Sequence, residues 1–214
     1  LSCEVTTIVN KPIDSSQIKE SKRSILKRIK QKSLCDLSKG VVSIIISKLI
    51  KKIYINAFNN KVAVFKEFTR KYINETDFCI LHDNIPDGLA DAYDYFITGS
   101  DQIWNSVFRR GSTADFLTFA PKYKRIAYAP SFGISQIPEE YKDRYKEWLE
   151  DIAHLSVREQ AGADIIRELT GRDAEVLVDP TLMLSKKEWN RISSPSKYKP
   201  NREYLLTYFL GDIT

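Results

Sequence analysis

Residues 125–178 read RIAYAPSFGISQIPEEYKDRYKEWLEDIAHLSVREQAGADIIRELTGRDAEVLV, and short apolar runs alternate there with longer segments of helical spacing. The pattern predicts strands at residues 125–129, 155–157 and 175–178 and helices at residues 138–152 and 159–169. Strands and helices that alternate at this spacing form a parallel sheet with helices packed against its faces. We therefore expect an α/β protein.

The pattern extends toward both ends of the chain. Residues 5–9 and 95–98 read as two further strands, and residues 204–210 read as another. Residues 15–71 are rich in lysine and carry apolar side chains at helical spacing, which predicts two or three amphipathic helices. A turn-rich stretch with two prolines at residues 193–201 predicts a linker.

Composition excludes several classes of protein. Of the 214 residues, 43% are hydrophobic and 29% are charged, which is typical of a globular protein and not of a collagen-like or disordered one. Cys3, Cys35 and Cys79 are far apart and form no CxxC pair, which argues against a disulfide scaffold or a zinc site and predicts reduced thiols. No run reaches the ~18 apolar residues of a membrane span. We therefore expect a cytoplasmic protein.

The formal net charge of +5 is unevenly distributed. Residues 11–71 contain 16 Lys/Arg and 4 Asp/Glu, a net charge of +12, whereas residues 72–214 carry a net charge of −6. A basic segment on an acidic body favours an anionic partner, such as a lipid headgroup surface or a nucleic acid. The alternative is a solvated helical insertion without a partner.

Small and polar residues follow several of the predicted strands. Ligands of parallel α/β sheets bind at the carboxyl ends of the strands, where helix amide groups favour anions. The residues at these positions are Gly99, Ser100 and Asp101 after the strand at 95–98, Ser131 and Gly133 after that at 125–129, and Arg158 after that at 155–157. We expect them to line one site that binds an anion.

The same positions also have structural interpretations. Ser100 or Asp101 could cap the next helix, as Ser and Asp often do. Trp104, three residues after Asp101, is more typical of a core side chain than of a ligand stack. Arg158 could simply form a local ion pair with Glu159.

Four blocks of sequence resemble the polysaccharide pyruvyl transferase family. In chain order they are GSDQIWN at residues 99–105, AYAPSFG at 127–133, SVRE at 156–159 and VDPTL at 178–182. Their order and spacing are similar to the family pattern over about residues 92–189. Pro130 stands where a small residue is more usual, and the lysine-rich segment is similar only as a variable insertion.

The resemblance implies a Rossmann-like parallel sheet with helices on both faces, as one half of a GT-B-like architecture of two domains. Residues 1–180 then form the first domain, which lacks its first strand and carries residues 11–71 as a basic helical insertion. Residues 181–202 are expected to be an interdomain linker, and residues 203–214 the first strand of a truncated second domain.

The resemblance also implies an enzyme that transfers the pyruvyl group of phosphoenolpyruvate to a sugar of a cell-surface glycan or its lipid-linked precursor, forming a ketal. Phosphoenolpyruvate is a donor substrate, and no cofactor or metal is implied. Arg158 would bind the donor carboxylate or phosphate, and the other strand-end residues would line the same site. The general-acid histidine is expected beyond Thr214, because neither His82 nor His154 is well placed, so this chain alone is expected to be inactive.

A lipid-linked acceptor implies a protein at the inner face of the membrane, with peripheral contact to anionic lipid through residues 11–71 and no nucleic-acid partner. Two other functions remain open at this point. One is a nucleotide-sugar glycosyltransferase of GT-B architecture, and the other is a non-enzymatic binding protein that uses the basic segment.

Overall fold

A computed structural model describes residues 3–11, 40–81, 83–196 and 199–207. Contacts divide the chain into two compact units, Leu1–Leu177 and Val178–Thr214. The strands of the first unit are β1 (Thr7–Lys11), β2 (Glu75–Leu81), β3 (Phe96–Thr98), β4 (Arg125–Ala127), β5 (Ser156–Val157) and β6 (Glu175–Val176). The helices within its described residues are α1 (Gly40–Tyr72), α2 (Ser106–Arg109), α3 (Glu139–Glu150) and α4 (Gln160–Thr170), with short 3₁₀ turns at Leu89–Asp91, Ala114–Phe116 and Lys122–Lys124. The fold is therefore mixed α/β.

All six strands within the described residues pair in parallel. The pairs are β1 with β2, β3 with β4, and β5 with β6. The second and third pairs are joined, because Ala127 N donates a hydrogen bond to the His154 carbonyl at 2.8 Å and Ile126 bridges to His154 in parallel. Strands β3 to β6 thus follow one another in chain order with all their carboxyl ends at one edge.

Helices α3 and α4 pack against the same face of this sheet. Glu139 and Glu140 in the first turn of α3 suit the positive end of its macrodipole, and α4 ends at Gly171, whose φ of 71° closes the helix in the left-handed conformation. The core that the two helices share with the strands contains Trp104, Phe116, Phe132, Tyr145, Leu149, Val157 and Ile166. On the other face of β3, Ile97 is 63% exposed.

A second apolar cluster lies under β1, β2 and β3. Its buried members are Ile80, Leu89, Phe96, Ala114, Leu117 and Ala120. Two polar contacts fix this part of the unit to the rest. Asn10 Nδ2 donates to Asp115 Oδ1 at 2.9 Å, and the Asp83 carboxylate accepts hydrogen bonds from Ser112 Oγ and from the backbone N–H of Thr113 and Ala114.

Most of the elements predicted downstream of residue 92 are confirmed, with small differences in their bounds. Strand β1 begins and ends two residues later than predicted. Strand β2 was not predicted, although burial alternates along most of it and the charged Glu75 and Asp77 lie on its exposed face. Of the predicted insertion, residues 40–72 form one continuous helix, and the part at residues 12–39 lies outside the described residues.

The second unit contains a 3₁₀ turn at Pro180–Leu182 and helix α5 (Lys186–Ile192). A capping box begins α5, since Ser185 Oγ accepts from the Glu188 N–H while the Glu188 carboxylate accepts from the Ser185 N–H. Residues 203–207 have no regular structure, and the rest of the strand predicted at 204–210 lies outside the described residues. The expected division into domain, linker and second domain stays a prediction.

Candidate functional site

The loop after β3 lies directly against the loop after β4. Gly99 has a φ of 134°, and a Cβ built on it would overlap the carbonyl oxygen of Tyr128. Only glycine allows this approach, because the conformation is strained for other residues and the space is already occupied. Gly99 is therefore required by a neighbouring backbone, which is a structural reason that holds with or without a ligand.

Backbone hydrogen bonds hold the loops after β3, β4 and β5 together at the carboxyl edge of the sheet. Ser131 N donates to the Asp101 carbonyl at 2.7 Å, and Trp104 N donates to the Ser131 carbonyl at 3.3 Å. Arg158 N donates to the Pro130 carbonyl at 3.1 Å. The structure thus brings together three of the four sequence blocks, as expected from parallel strands.

Arg158 lies at the centre of this edge with carboxylates on two sides. Its Nη1 is 3.8 Å from Asp101 Oδ1, and its Nε donates to Glu159 Oε1 at 2.7 Å. The Arg158 side chain is 26% exposed, and that of Asp101 is 88% exposed. Ion pairs this open to solvent contribute only about 0–1 kcal/mol, so an anionic ligand could replace a carboxylate at the guanidinium at small cost.

The local ion pair between Arg158 and Glu159, which was the structural alternative for Arg158, is therefore present. It coexists with the longer contact to Asp101, which comes from a different strand end. Helix α4 begins only at Gln160, so the Arg158 side chain precedes the helix and its first turn.

The capping alternative for Ser100 and Asp101 is wrong. Asn105 caps the next helix, α2, because its side-chain oxygen accepts from the N–H groups of Val107 at 2.9 Å and Phe108 at 3.3 Å. Asp101 instead takes a left-handed conformation with φ 47° in the turn that follows β3. Its carboxylate projects into solvent at the strand edge.

Ser131 and Gly133 shape the loop after β4. Ser131 is buried, and its Oγ accepts a hydrogen bond from Gly133 N at 3.0 Å. A Cβ on Gly133, whose φ is 62°, would collide with Gln102 and come within 2.7 Å of Asn105 Nδ2. Both residues therefore contact the loop after β3.

Buried side chains lie behind the strand ends, and the hydrogen bonds that they form were not predicted. Trp104 is fully buried, as its core interpretation predicted, and it stacks on Phe116 with ring centroids 5.0 Å apart. Its Nε1 donates to the Asp115 carbonyl at 3.1 Å, which also accepts from Thr98 Oγ1 at 2.6 Å. The end of β3 and the start of the site loop are thus fixed to the same backbone oxygen.

The side chain of Asp115 forms a buried ion pair with Arg109. Two hydrogen bonds of 2.6 Å join the guanidinium to the carboxylate, and they raise the pKa of Arg109. Such pairing follows from packing and leaves no sequence signal, because an Arg and an Asp six residues apart are common. Asn105 could have been found, since Asn directly before a short apolar run is a helix-cap pattern.

His154 lies away from this edge. It precedes β5, and its backbone pairs with β4 near the amino ends of the strands. His82 lies outside the described residues. Within the described ranges, no three His, Cys, Asp or Glu side chains come together in a way that could hold a metal ion. None of the helices described is long and apolar enough to cross a membrane.

Comparison with known proteins gives one match. A family model described as polysaccharide pyruvyl transferase matches residues 5–213. No curated protein and no solved structure matches the chain.

Proposed function

The chain belongs to the polysaccharide pyruvyl transferase family, and from this premise we propose that it transfers the pyruvyl group of phosphoenolpyruvate to a sugar. The acceptor is a residue of a cell-surface glycan or of its lipid-linked precursor, and the product is a pyruvate ketal. Phosphoenolpyruvate is the donor substrate, and the reaction uses no further cofactor.

The reaction makes three demands on a protein. The methylene carbon of the enol takes up a proton, two sugar hydroxyl oxygens bond to the neighbouring carbon, and the bond from that carbon to the phosphate oxygen breaks. Of the two protons that the hydroxyls give up, one balances the new methyl group and the other leaves with phosphate. Positive charge must therefore face the donor carboxylate and phosphate, and a general acid must reach the methylene carbon.

Arg158 meets the demand for positive charge. Its planar guanidinium can bind a carboxylate or a phosphate with two parallel hydrogen bonds, and it lies where the loops of three strands converge. We propose that the donor takes the place of Asp101 at this guanidinium, beside Ser100 and Gly99. Ser131 and Gly133 keep the loop after β4 in the conformation that leaves this space.

We place the general acid outside the described residues. His154 lies at the amino end of the strands, and a donor bound at their carboxyl ends would be out of its reach. A second Rossmann-like domain facing this edge, as in a GT-B architecture, would supply the acid and the acceptor cleft. Such a protein would work in the cytoplasm, where phosphoenolpyruvate is made.

The observation that carries the proposal is the convergence of three family blocks at Arg158, in a chain whose family match extends over residues 5–213. The test is thermal unfolding of the protein with phosphoenolpyruvate or with nucleotide-sugars. A donor present at about 100 times its Kd raises the free energy of unfolding by about 2.7 kcal/mol. We expect this stabilisation from phosphoenolpyruvate and not from nucleotide-sugars.

Two variants localise the effect. Arg158→Lys keeps the positive charge but loses the planar guanidinium that can form two parallel hydrogen bonds. We therefore expect donor affinity to fall at least tenfold, which is about 1.4 kcal/mol. Arg167→Lys is the matched control, because Arg167 forms an exposed pair with Asp173 at the far end of α4. Stabilisation by a nucleotide-sugar alone would favour the glycosyltransferase function instead, and equal behaviour of the two variants would remove Arg158 from the site.

A further inference from the structure

Helix α1 presents an exposed row of aromatic side chains. Phe58, Phe65, Phe68 and Tyr72, here called the aromatic stripe, recur at helical spacing and are between 41% and 63% exposed. Successive members lie on one face because three- and four-residue steps bring side chains to the same side of a helix. Phe68 and Tyr72 are in ring contact, with centroids 4.8 Å apart. An exposed apolar row of this length is unusual for a protein surface and marks an interaction site.

Basic side chains accompany the stripe. Residues 40–72 contain seven Lys/Arg and one Glu, a net charge of +6. Lys61 Nζ lies 5.9 Å from the centre of the Phe65 ring, and Lys71 Nζ lies 5.0 Å from that of Tyr72. Lys61 lies on the face of the stripe itself, three residues after Phe58 and four before Phe65, and Lys71 lies beside its last member. Positive charge is therefore found both within and next to the apolar surface.

This combination suits a lipid surface. On an anionic bilayer, aromatic and aliphatic side chains enter the boundary between headgroups and acyl chains while Lys and Arg reach lipid phosphates. Ile53 and Val64 extend the apolar surface and are 58% and 66% exposed. Acyl chains would cover these aliphatic groups, whereas the bases of a nucleic acid gain mainly from stacking on rings.

Charge also argues against a second copy of the chain. The spacing of the stripe would suit the pairing of two α1 helices, but that contact would bring two segments of +6 together, and like charges at such close range oppose association. We propose that α1 docks the protein on the surface of an anionic membrane, lying in the plane of the interface with the aromatic stripe toward the acyl chains. This surface is separate from the strand-end site and does not depend on the proposed function.

The test is co-sedimentation of the full chain with vesicles of phosphatidylcholine, with or without phosphatidylglycerol. We expect binding to the anionic vesicles at low ionic strength, release at about 1 M salt, where the Debye length falls to about 3 Å, and no binding to neutral vesicles. Phe65→Ser/Phe68→Ser should lower the partition coefficient at least tenfold, and Ser has nearly the same helix propensity as Phe.

The control is Asn59→Ser/Ala63→Ser, two exposed positions four residues apart on the side of α1 away from the aromatic stripe, which should bind as the parent chain does. Far-ultraviolet circular dichroism checks that both variants keep their helix content. Equal binding to neutral and anionic vesicles, or an undiminished affinity of the Phe variant, would overturn the proposal. The proposal would also be overturned if the protein did not bind anionic vesicles and instead bound RNA. The same holds if it did not bind anionic vesicles but formed a dimer that the Phe variant could not form.

Discussion

At the scale of single residues, the site depends on side chains with two kinds of role. The Arg158 and Asp101 side chains are 26% and 88% exposed, and the ion pair between them is open to solvent. Asn105, Trp104 and Asp115 are buried and fully engaged, and they fix the backbone from which the others project. The partly exposed pair lies at the strand ends, whereas the buried groups behind it form internal hydrogen bonds.

Ser100 tests this division of roles. Because Asn105 caps α2, replacing Ser100 with Ala removes no helix cap, and the ~1 kcal/mol cost of a lost cap does not apply. We expect Ser100→Ala to lower donor binding or turnover more than it lowers the unfolding midpoint. Ser112→Ala should do the reverse, since Ser112 Oγ donates to the Asp83 carboxylate in the interior of the unit. A sharp loss of stability in Ser100→Ala with unchanged donor binding would contradict the assignment.

At the scale of elements, the site exists because parallel strands end together. Helices α3 and α4 pack on one face of the sheet and bury the sides of β4 and β5 through Tyr145, Leu149 and Ile166. The loops after these strands are then forced to the same edge, and close backbone contacts determine how tightly they approach. The closest of these approaches is that of Gly99 to the Tyr128 carbonyl.

Replacing Gly99 with Ala should separate the ends of β3 and β4. The added Cβ would overlap the Tyr128 carbonyl in a backbone conformation already strained for alanine, so we expect a loss of at least about 2 kcal/mol in the free energy of unfolding. Gly88→Ala is the control, because Gly88 also has a positive φ of 74° but has no atom within 4 Å of the new methyl group. Strain alone costs about 1–2 kcal/mol there. Urea unfolding of both variants measures the difference, and equal losses would show that crowding at Tyr128 is unimportant.

At the scale of the whole first unit, two carboxylates connect the β1–β2 pair to the rest. Asp115 accepts from Asn10 in β1 while it pairs with Arg109, and Asp83, just after β2, accepts from the loop at residues 112–114. These contacts join segments that are far apart in sequence. The stability of the unit should therefore depend on the ionisation of Asp83.

Burial raises the pKa of Asp83, but hydrogen bonds from Ser112, Thr113 and Ala114 outweigh burial and hold that pKa below its usual range. Since the unfolded pKa is about 3.9, the carboxylate stabilises the fold fully above about pH 5, and this stability is lost as the pH falls through the lower, folded value. We expect the free energy of unfolding to decrease from about pH 5 to about pH 3.

Asp83→Asn should make that decrease shallower, because the amide does not titrate. Urea unfolding at a series of pH values measures both slopes. An identical acid dependence in the two proteins would mean that Asp83 does not couple the loop at residues 112–114 to folding.

The order of amino acids alone predicts the fold class, the order of strands and helices after residue 92, and the strand-end positions of Gly99, Ser100, Asp101 and Arg158. Periodicity and small residues at strand ends are local signals, which is why they can be read from neighbouring letters. The proposed reaction comes from the four blocks of sequence that resemble the family.

Packing of the folded chain determines which of these residues are in contact and which side chains hold them in place. The pairing of Asp115 with Arg109 and Asn10, the approach of Gly99 to Tyr128, and the capping of α2 by Asn105 in place of Ser100 or Asp101 depend on how the segments pack. Strand β2 pairs with β1 and keeps its charged residues on the exposed face, while Ile80 belongs to the same buried cluster as Phe96. Contacts between residues distant in sequence arise from the packing of the whole unit, and local propensity carries no information about them.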